Sequence, residues 1–364
     1  MLKIVFYMPS FAGGGAERNS VLVANEFTRL GHKVSIVVDN PSGPNKKSLL
    51  DDVKIISLNG SKHFDHIFSL RKHIKNIKPD IIFARVGLSN IKVLFSTIFC
   101  ISWKNLIISY ENLYEPSAKT GGRLTYVLSF FLTRITGATI AVSEDVKSEL
   151  VNRFKASRKR IHVLHNPVDL QWIHQQAIET KPSWLEGKQY ILSVGRLIYQ
   201  KDYPTLLKAF AQIAGYCDLD LVILGDGPKR KEIESLVLEL NLSGRVHLPG
   251  YLDNPFSVYQ GAELFVLSSV FEGFGNVLIE ALALGIPVVS TRCPGGPKEI
   301  LDNGNYGKLV PVGDPNALAD AILSTLVNPV DSSSLRLRAK DFSIEHIAEK
   351  YLSLLSVRSP SKIL

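Results

Sequence analysis

Cysteine is scarce: three in 364 residues, Cys100, Cys217 and Cys293, far apart and in no metal-binding spacing. An odd number of isolated thiols supplies neither a disulfide framework nor a zinc site, so they read as buried or free thiols in a reducing cytoplasm. Long apolar runs are also lacking, and no stretch reaches the roughly 20 residues that a bilayer-spanning helix needs. The start, MLKIVFYMP, is an apolar run of strand length broken at Pro9, unlike a secretory leader. No strand ends in G-x-G-x-x-G with an acidic residue about 20 positions further on, which argues against an NAD-dependent dehydrogenase. Neither a helix-turn-helix nor an RNP-type motif accompanies the basic residues, so nucleic acid is not expected as a partner.

What remains is the composition of a folded, two-domain chain. Hydrophobic residues make up 45% and charged residues 21%, and 364 residues are long for one core but comfortable for two. The net charge of +8 is unevenly spread: residues 1–170 hold 24 Lys+Arg against 13 Asp+Glu, and residues 171–364 hold 18 against 21. A basic first half suits an anionic partner such as lipid head groups or a lipid diphosphate.

The first half alternates between strand-length and helix-length patterns. Leu2–Met8 is an apolar run, broken only by Lys3, leading into Gly13-Gly-Gly-Ala-Glu17-Arg18. A helix follows with Val21, Leu22, Ala24, Phe27 and Leu30 on its apolar face, stopped by Gly31, and Lys33–Val38 is the next strand. This is strand, glycine loop, helix, strand, the opening unit of a doubly wound parallel sheet. The loop can cradle a phosphate or be a tight turn only; it lacks the Walker lysine. Further strands are expected at Val53–Leu58, Asp80–Ala84, Leu106–Tyr110, Thr139–Val142 and Ile161–Leu164, with a basic helix at Ile67–Ile77. Ser143 is the expected N-cap of a helix after the fourth of these. Ile91–Trp103 and Leu124–Ile135 read as apolar helices, interrupted by Lys92 and Arg134. They suit either core burial or a face resting on a membrane without spanning it.

In the second half Gln189–Ser193 opens a new strand series, followed by Arg196 and Lys201 five positions apart. On a loop after a parallel strand, where ligands of open α/β sheets bind, two cations can neutralise a diphosphate. Leu219–Leu224 is a strand ending in the turn Gly225-Asp-Gly-Pro228, and Arg245–Pro249 another. Asp218-Leu-Asp220 matches a metal-binding D-x-D pattern, but it precedes its strand and so stands at the wrong end for a site. The stretch Phe265–Ile300 carries most of the information: a buried strand at Leu264–Leu267, Glu272 on a loop, and a helix from about Gly275–Asn276 that holds Glu280. A short strand at Pro287–Ser290 and a loop at Pro294–Pro297 follow. Free N–H groups at a glycine-rich helix start attract an anion, and two glutamates seven residues apart can grip hydroxyls. A nucleotide sugar offers both groups.

Glu272-Gly-Phe-Gly-Asn-Val-Leu-Ile-Glu280 followed by Gly285-Ile-Pro-Val-Val resembles the E-x7-E signature of the retaining glycosyltransferases of GT-B fold, in particular glycosyltransferase family 4. The resemblance covers nearly the whole chain, with its strongest motifs in residues 193–300, and extends to the GGGAER loop. The Pro294–Glu299 loop and Ser109-Tyr-Glu-Asn112 are similar to bacterial surface-polysaccharide enzymes. It implies an α/β fold of two Rossmann-like β/α/β domains facing each other across a cleft. Residues 1–170 would form the acceptor-side domain, 171–343 the nucleotide-sugar domain, and 344–364 a C-terminal helix crossing back to the first domain and ending in a loose tail.

The activity implied is transfer of a hexosyl group, with retention, from a nucleotide diphosphate sugar (a UDP-sugar is favoured) to an acceptor hydroxyl of a glycan or lipid-linked saccharide. No metal or other cofactor is expected. Arg196, Lys201 and Glu272 would be the catalytic groups, and Glu272 would bind hydroxyls of the transferred sugar. Gly14, Gly15, Gly225, Gly273, Phe274, Gly275, Asn276, Val277 and Glu280 would bind the donor, Glu280 through the ribose. Glu111 and Asn112 would stand on the acceptor side, where the family often carries a histidine and this sequence has none from Glu111 until His162. A sugar-nucleotide epimerase and a carbohydrate-binding protein without catalysis are the alternatives. The expected setting is the cytoplasm, with peripheral contact to the inner face of an anionic membrane.

Overall fold

The computed structural model describes residues 1–58, 63–85, 88–115 and 120–356. The chain divides into two units, Met1–Val168 with Ile344–Leu364, and Asp169–Ser343. Residues 357–364, expected as a tail, lie outside the described residues.

The first unit is a seven-stranded sheet, β1 (Lys3–Met8), β2 (Lys33–Val38), β3 (Lys54–Ser57), β4 (Ile81–Ala84), β5 (Leu106–Tyr110), β6 (Ala138–Ala141) and β7 (Ile161–Val163). Its order is β3-β2-β1-β4-β5-β6-β7, and every pairing is parallel. β4, β5 and β6 are buried at every position, as strands covered on both faces must be. The connecting helices are α1 (Gly15–Arg29), α2 (His63–Ile77), α3 (Ser89–Thr97), α4 (Thr120–Val127), α5 (Ser129–Ile135) and α6 (Glu144–Asn152). Because parallel crossovers are right-handed, the chain moving from β1 to β2 puts α1 on one face. Moving the other way from β3 through β7, it puts α2 to α6 on the opposite face. Ser143 caps α6 as expected, accepting the Val146 N–H at 3.3 Å.

Several boundaries differ from the sequence reading. Leu30 caps α1 and is 48% exposed instead of joining its apolar face. The apolar stretch from Ile91 stops being helical at Thr97, where Phe99 takes a left-handed φ of 58° and turns the chain. The stretch from Leu124 is two helices broken at Leu128. Lys92 is buried because its ammonium pairs with Asp39, which also accepts the Tyr7 hydroxyl at 2.7 Å.

The second unit holds six parallel strands, β8 (Tyr190–Val194), β9 (Asp220–Leu224), β10 (Val246–Gly250), β11 (Leu264–Leu267), β12 (Val288–Thr291) and β13 (Lys308–Val310). Their order is β10-β9-β8-β11-β12-β13. The helices are α7 (Leu170–Ala177), α8 (Tyr203–Ile213), α9 (Arg230–Glu239), α10 (Phe256–Tyr259), α11 (Asn276–Ala283), α12 (Pro297–Ile300), α13 (Pro315–Val327) and α14 (Ser332–Lys340). Asp220 of the D-x-D pattern opens β9 and is held by Lys188, Arg245 and His247 at 3.1, 3.1 and 2.7 Å. It is a strut at the base of the sheet.

Last comes α15 (Ile344–Ser356), which belongs to the first unit. Ile344, Ile347, Ala348, Tyr351 and Leu355 join the core formed by β1, β2 and α1. Among the described residues no helix is long and apolar enough to cross a membrane.

Candidate functional site

In the second unit the chain runs from β8 outward to β10, then returns to β11 and continues outward the other way. The loops after β8 and β11 therefore diverge at the C-terminal edge, leaving the crevice where open α/β sheets bind ligands. Arg196 and Lys201 lie on the first of these loops and Glu272 on the second. The structure brings Lys201 and Glu272 into contact, Nζ to Oε1 2.6 Å, with side chains 14% and 8% exposed. Ser269 donates to the same oxygen at 2.6 Å, and the Gln200 amide reaches Oε2 at 3.5 Å. Gln200 also bonds the Phe271 carbonyl at 2.9 Å, Val270 N–H bonds the Gln200 carbonyl at 2.8 Å, and Ser268 bonds the Lys201 carbonyl at 2.7 Å. The two loops are thus stitched together around one carboxylate.

Two glycines allow the neighbouring loops to close on this pair. Gly225 follows β9 with φ +135°, and a Cβ there would stand 2.0 Å from the Gly195 carbonyl oxygen. Gly295, φ +116°, would put a Cβ 2.0 Å from the Glu272 carbonyl oxygen. Neither position admits a side chain. Beneath the loops, burial and then the Glu272 charge push the Cys293 thiol up to about 12, so it stays protonated. Burial and the same charge raise the Tyr203 phenol, whose hydroxyl donates to the Gly195 carbonyl at 3.0 Å.

Gly273, Phe274 and Gly275 lead into α11, with Gly275 at φ +100° as its N-cap. The N–H groups of Asn276 and Val277 lie in the first turn of α11, at the positive end of the helix. The Phe274 ring is not presented to a ligand: it is 2% exposed and packs on Phe342, centroids 5.7 Å apart. Glu280 lies on the fifth residue of α11, 7% exposed, and accepts the Tyr259 hydroxyl at 3.2 Å. Arg196 is exposed, and its guanidinium has no partner among the described residues.

The first unit repeats this logic at its own switch point, between β1 and β4. After β1, Gly14 is the N-cap of α1 and Gly15 its first residue. A Cβ on Gly14 would meet the folded-back Glu17 carboxylate at 2.3 Å, whereas one on Gly15 would have no described side chain or neighbouring loop within 4 Å. After β4 comes Arg85 and after β5 Glu111, joined Nε to Oε1 at 3.1 Å. Asn112 is exposed, and its carbonyl accepts the Tyr126 hydroxyl. No group of three or more His, Cys, Asp or Glu side chains among the described residues is placed to hold a metal ion.

Sequence reading missed Gln200, Ser269 and Tyr259 beside the glutamates, and Arg85 and Tyr351 beside Glu111. The serine pair that closes β11 was a usable signal. Tyr351 gives none, being 266 positions from Arg85.

Comparison with known proteins agrees with this architecture. Residues 174–342 match the family model Glycosyl transferases group 1, and residues 13–172 match Glycosyltransferase Family 4. The chain is a glycosyltransferase of GT-B fold. It belongs to this group 1/family 4 set, whose two models between them take in both units. One Campylobacter jejuni relative is an N-acetylgalactosamine-N,N'-diacetylbacillosaminyl-diphospho-undecaprenol 4-alpha-N-acetylgalactosaminyltransferase, 37% identical over 57% of this chain and 56% of its own. A second, GalNAc-alpha-(1->4)-GalNAc-alpha-(1->3)-diNAcBac-PP-undecaprenol alpha-1,4-N-acetyl-D-galactosaminyltransferase, is 28% identical over 98% of this chain and 99% of its own. Among solved structures, Anabaena HepE with UDP and glucose superimposes with TM-score 0.81 at 20% identity, covering 98% of this chain and 100% of its own.

Proposed function

We propose that the protein moves a sugar, with retention of configuration, from a UDP-sugar to a hydroxyl of a lipid-linked saccharide, without a metal. The observation that carries this is the pair Lys201–Glu272 at the switch point, with Arg196, a cation without a partner among the described residues, on the Lys201 loop. The first unit would serve the acceptor and the second the donor. The two Campylobacter relatives, named for undecaprenyl-diphosphate acceptors, and HepE, solved with UDP and glucose, support the substrate classes.

In this reading the bond between the sugar's anomeric carbon and the diphosphate breaks, and UDP leaves with the electron pair. The acceptor oxygen bonds the same face of that carbon, and its proton passes to the leaving phosphate. Positive charge grows on the sugar and negative charge on the diphosphate. Arg196, Lys201 and the N–H groups of Gly273, Phe274, Gly275, Asn276 and Val277 stabilise the leaving group from fixed positions. Glu272 takes sugar hydroxyls and Glu280 the ribose hydroxyls. Gly225, Gly14 and Gly15 allow close approach of backbone to donor, Gly15 having no packing of its own to explain it. Glu111 and Asn112 face the acceptor.

Thermal melting against a panel of nucleotide diphosphates and their sugars tests the donor. One UDP-sugar at about 100 times its Kd should stabilise the protein by about 2.7 kcal/mol. EDTA should leave that stabilisation unchanged, and Glu280→Gln should weaken it while the empty protein melts as before. Stabilisation that appears only with added divalent metal ion would sink the metal-free reading. UDP release that does not depend on acceptor would favour the epimerase instead.

A second observation favours contact with an anionic bilayer. α2 and α3 flank a groove of about 510 Å³ whose walls include Phe64, Ile67, Phe68, Ile91 and Phe95 beside Arg71. Phe64, Phe68, Phe95 and Phe99 are 73%, 70%, 52% and 97% exposed, and Phe130 and Phe131 on α5, in the same helical layer, are each 50% exposed. Core burial does not account for these rings; apolar side chains among cations suit an interface. The protein should co-sediment with vesicles rich in phosphatidylglycerol, release with salt, and lose binding in Phe64→Ser/Phe68→Ser. Equal binding to phosphatidylcholine, or none to either, would remove this surface.

A further inference from the structure

We propose that Glu111 contacts the acceptor through its Oε2, and that Arg85 and Tyr351 are positioning residues that hold it there, so that α15 governs acceptor use as well as closing the core. This rests on the transferase reading above.

Place comes first. The Gly14 loop, Arg85 and Glu111 follow β1, β4 and β5, the strands at and beside the switch point of the first sheet. Function concentrates at that edge in folds of this kind.

Geometry makes the arrangement specific. Arg85 Nε meets Glu111 Oε1 at 3.1 Å, and Ser109 Oγ donates to that same oxygen at 2.7 Å. Both donors therefore converge on Oε1. Oε2 has no partner among the described residues, although the Glu111 side chain is only 7% exposed. A carboxylate oxygen withdrawn from water and left without a donor is costly. A hydroxyl or amide N–H of a bound saccharide is the chemistry that satisfies it. Burial, with the Glu111 charge adding to it and Arg85 opposing, holds the nearby Glu17 carboxyl above its ordinary value.

Arg85 is 1% exposed, and its far end is fixed by α15: Nη2 donates to the Tyr351 hydroxyl at 3.0 Å. The Tyr351 ring is wedged against Phe83 and Phe27, with centroids 5.8 and 6.3 Å away. The phenol thus has one available pose, and it transmits that pose through a planar guanidinium to one carboxylate. A fully buried arginine is weak support for stability, since apolar residues of similar volume commonly serve as well. Its two anchors instead set the direction in which Oε2 points.

The test compares Glu111→Gln, Tyr351→Phe and the double variant. UDP-N-acetylgalactosamine serves as donor and polyprenyl-diphosphate-linked N-acetylgalactosamine as acceptor. Each single change should lower kcat/KM for the acceptor about tenfold or more, mainly through KM, the worth of one hydrogen bond to a charged group. UDP affinity should stay within about twofold, and the double variant should be no worse than Glu111→Gln alone. Losses that multiply in the double variant would show that Tyr351 acts independently of Glu111. A lowered melting temperature with unchanged acceptor kinetics would reduce the trio to a core network. Acceptor-dependent turnover that ignores Glu111→Gln overturns this inference alone; no acceptor-dependent UDP release by the unaltered protein overturns the transferase reading with it.

Discussion

Arg196→Ala is expected to lower turnover about 100- to 1,000-fold, the usual loss when one preorganised group facing developing charge is removed, with no change in melting temperature. The two halves of that expectation have one origin. The side chain is exposed and has no partner among the described residues, so the folded state does not depend on it. Yet it stands on the loop after β8 at the switch point, five positions before a lysine already engaged with Glu272. A cation without a partner among the described residues can turn to a diphosphate without breaking a contact of the fold. Arg196→Lys should recover only part of the rate, because a point charge replaces a planar fork. Steady-state kinetics at saturating donor separates kcat from KM: equal loss in kcat and kcat/KM marks an interaction made in the transition state. Activity within a few-fold of the unaltered protein would withdraw the role from Arg196.

The sequence disclosed most of what depends on local pattern and little of what depends on contact at a distance. β2, β5 and β11 fall on the expected residues, and β1 within one, because strands covered on both faces are mostly apolar, with only Lys3, Lys33, Ser35 and Ser109 interrupting these four. β13 escaped notice: it is three residues long, and its first residue, Lys308, is exposed. α14 was missed because only Leu335 and Ala339 of its nine residues are buried, leaving no apolar stripe. The ends of α3 and α4 are set by Phe99 in a left-handed conformation and by the break at Leu128, neither of which a hydrophobic pattern encodes. The family resemblance was legible from Glu272 to Glu280, since that segment is contiguous. The partnership of Glu272 with Lys201 was not, as it joins residues 71 apart through the packing of two loops. Glu111 stood out as a departure from the family, but what fixes it comes from β4 and the C-terminal helix.

Lys201→Ala should cost both stability and turnover, and a second substitution separates them. Breaking a buried ion pair by removing one partner destabilises by about 3–5 kcal/mol, because the remaining charge is stranded. With Lys201 14% and Glu272 8% exposed, the lower end, about 3 kcal/mol, is expected. At roughly 2–4 °C per kcal/mol for a unit of this size, the second unit should melt roughly 6–12 °C lower. Adding Glu272→Gln to Lys201→Ala replaces the stranded carboxylate with a neutral amide that Ser269 and Gln200 can still bond, so much of the stability should return. Turnover should not return if, as proposed, Lys201 meets the diphosphate and Glu272 the sugar. Recovery of both would show that Lys201 serves Glu272 alone and never meets the donor. Failure of Lys201→Ala to destabilise would show that the pair is solvated and weak. Stability without turnover in the double variant is the outcome that keeps Lys201 as a ligand of the leaving group as well as the partner of Glu272.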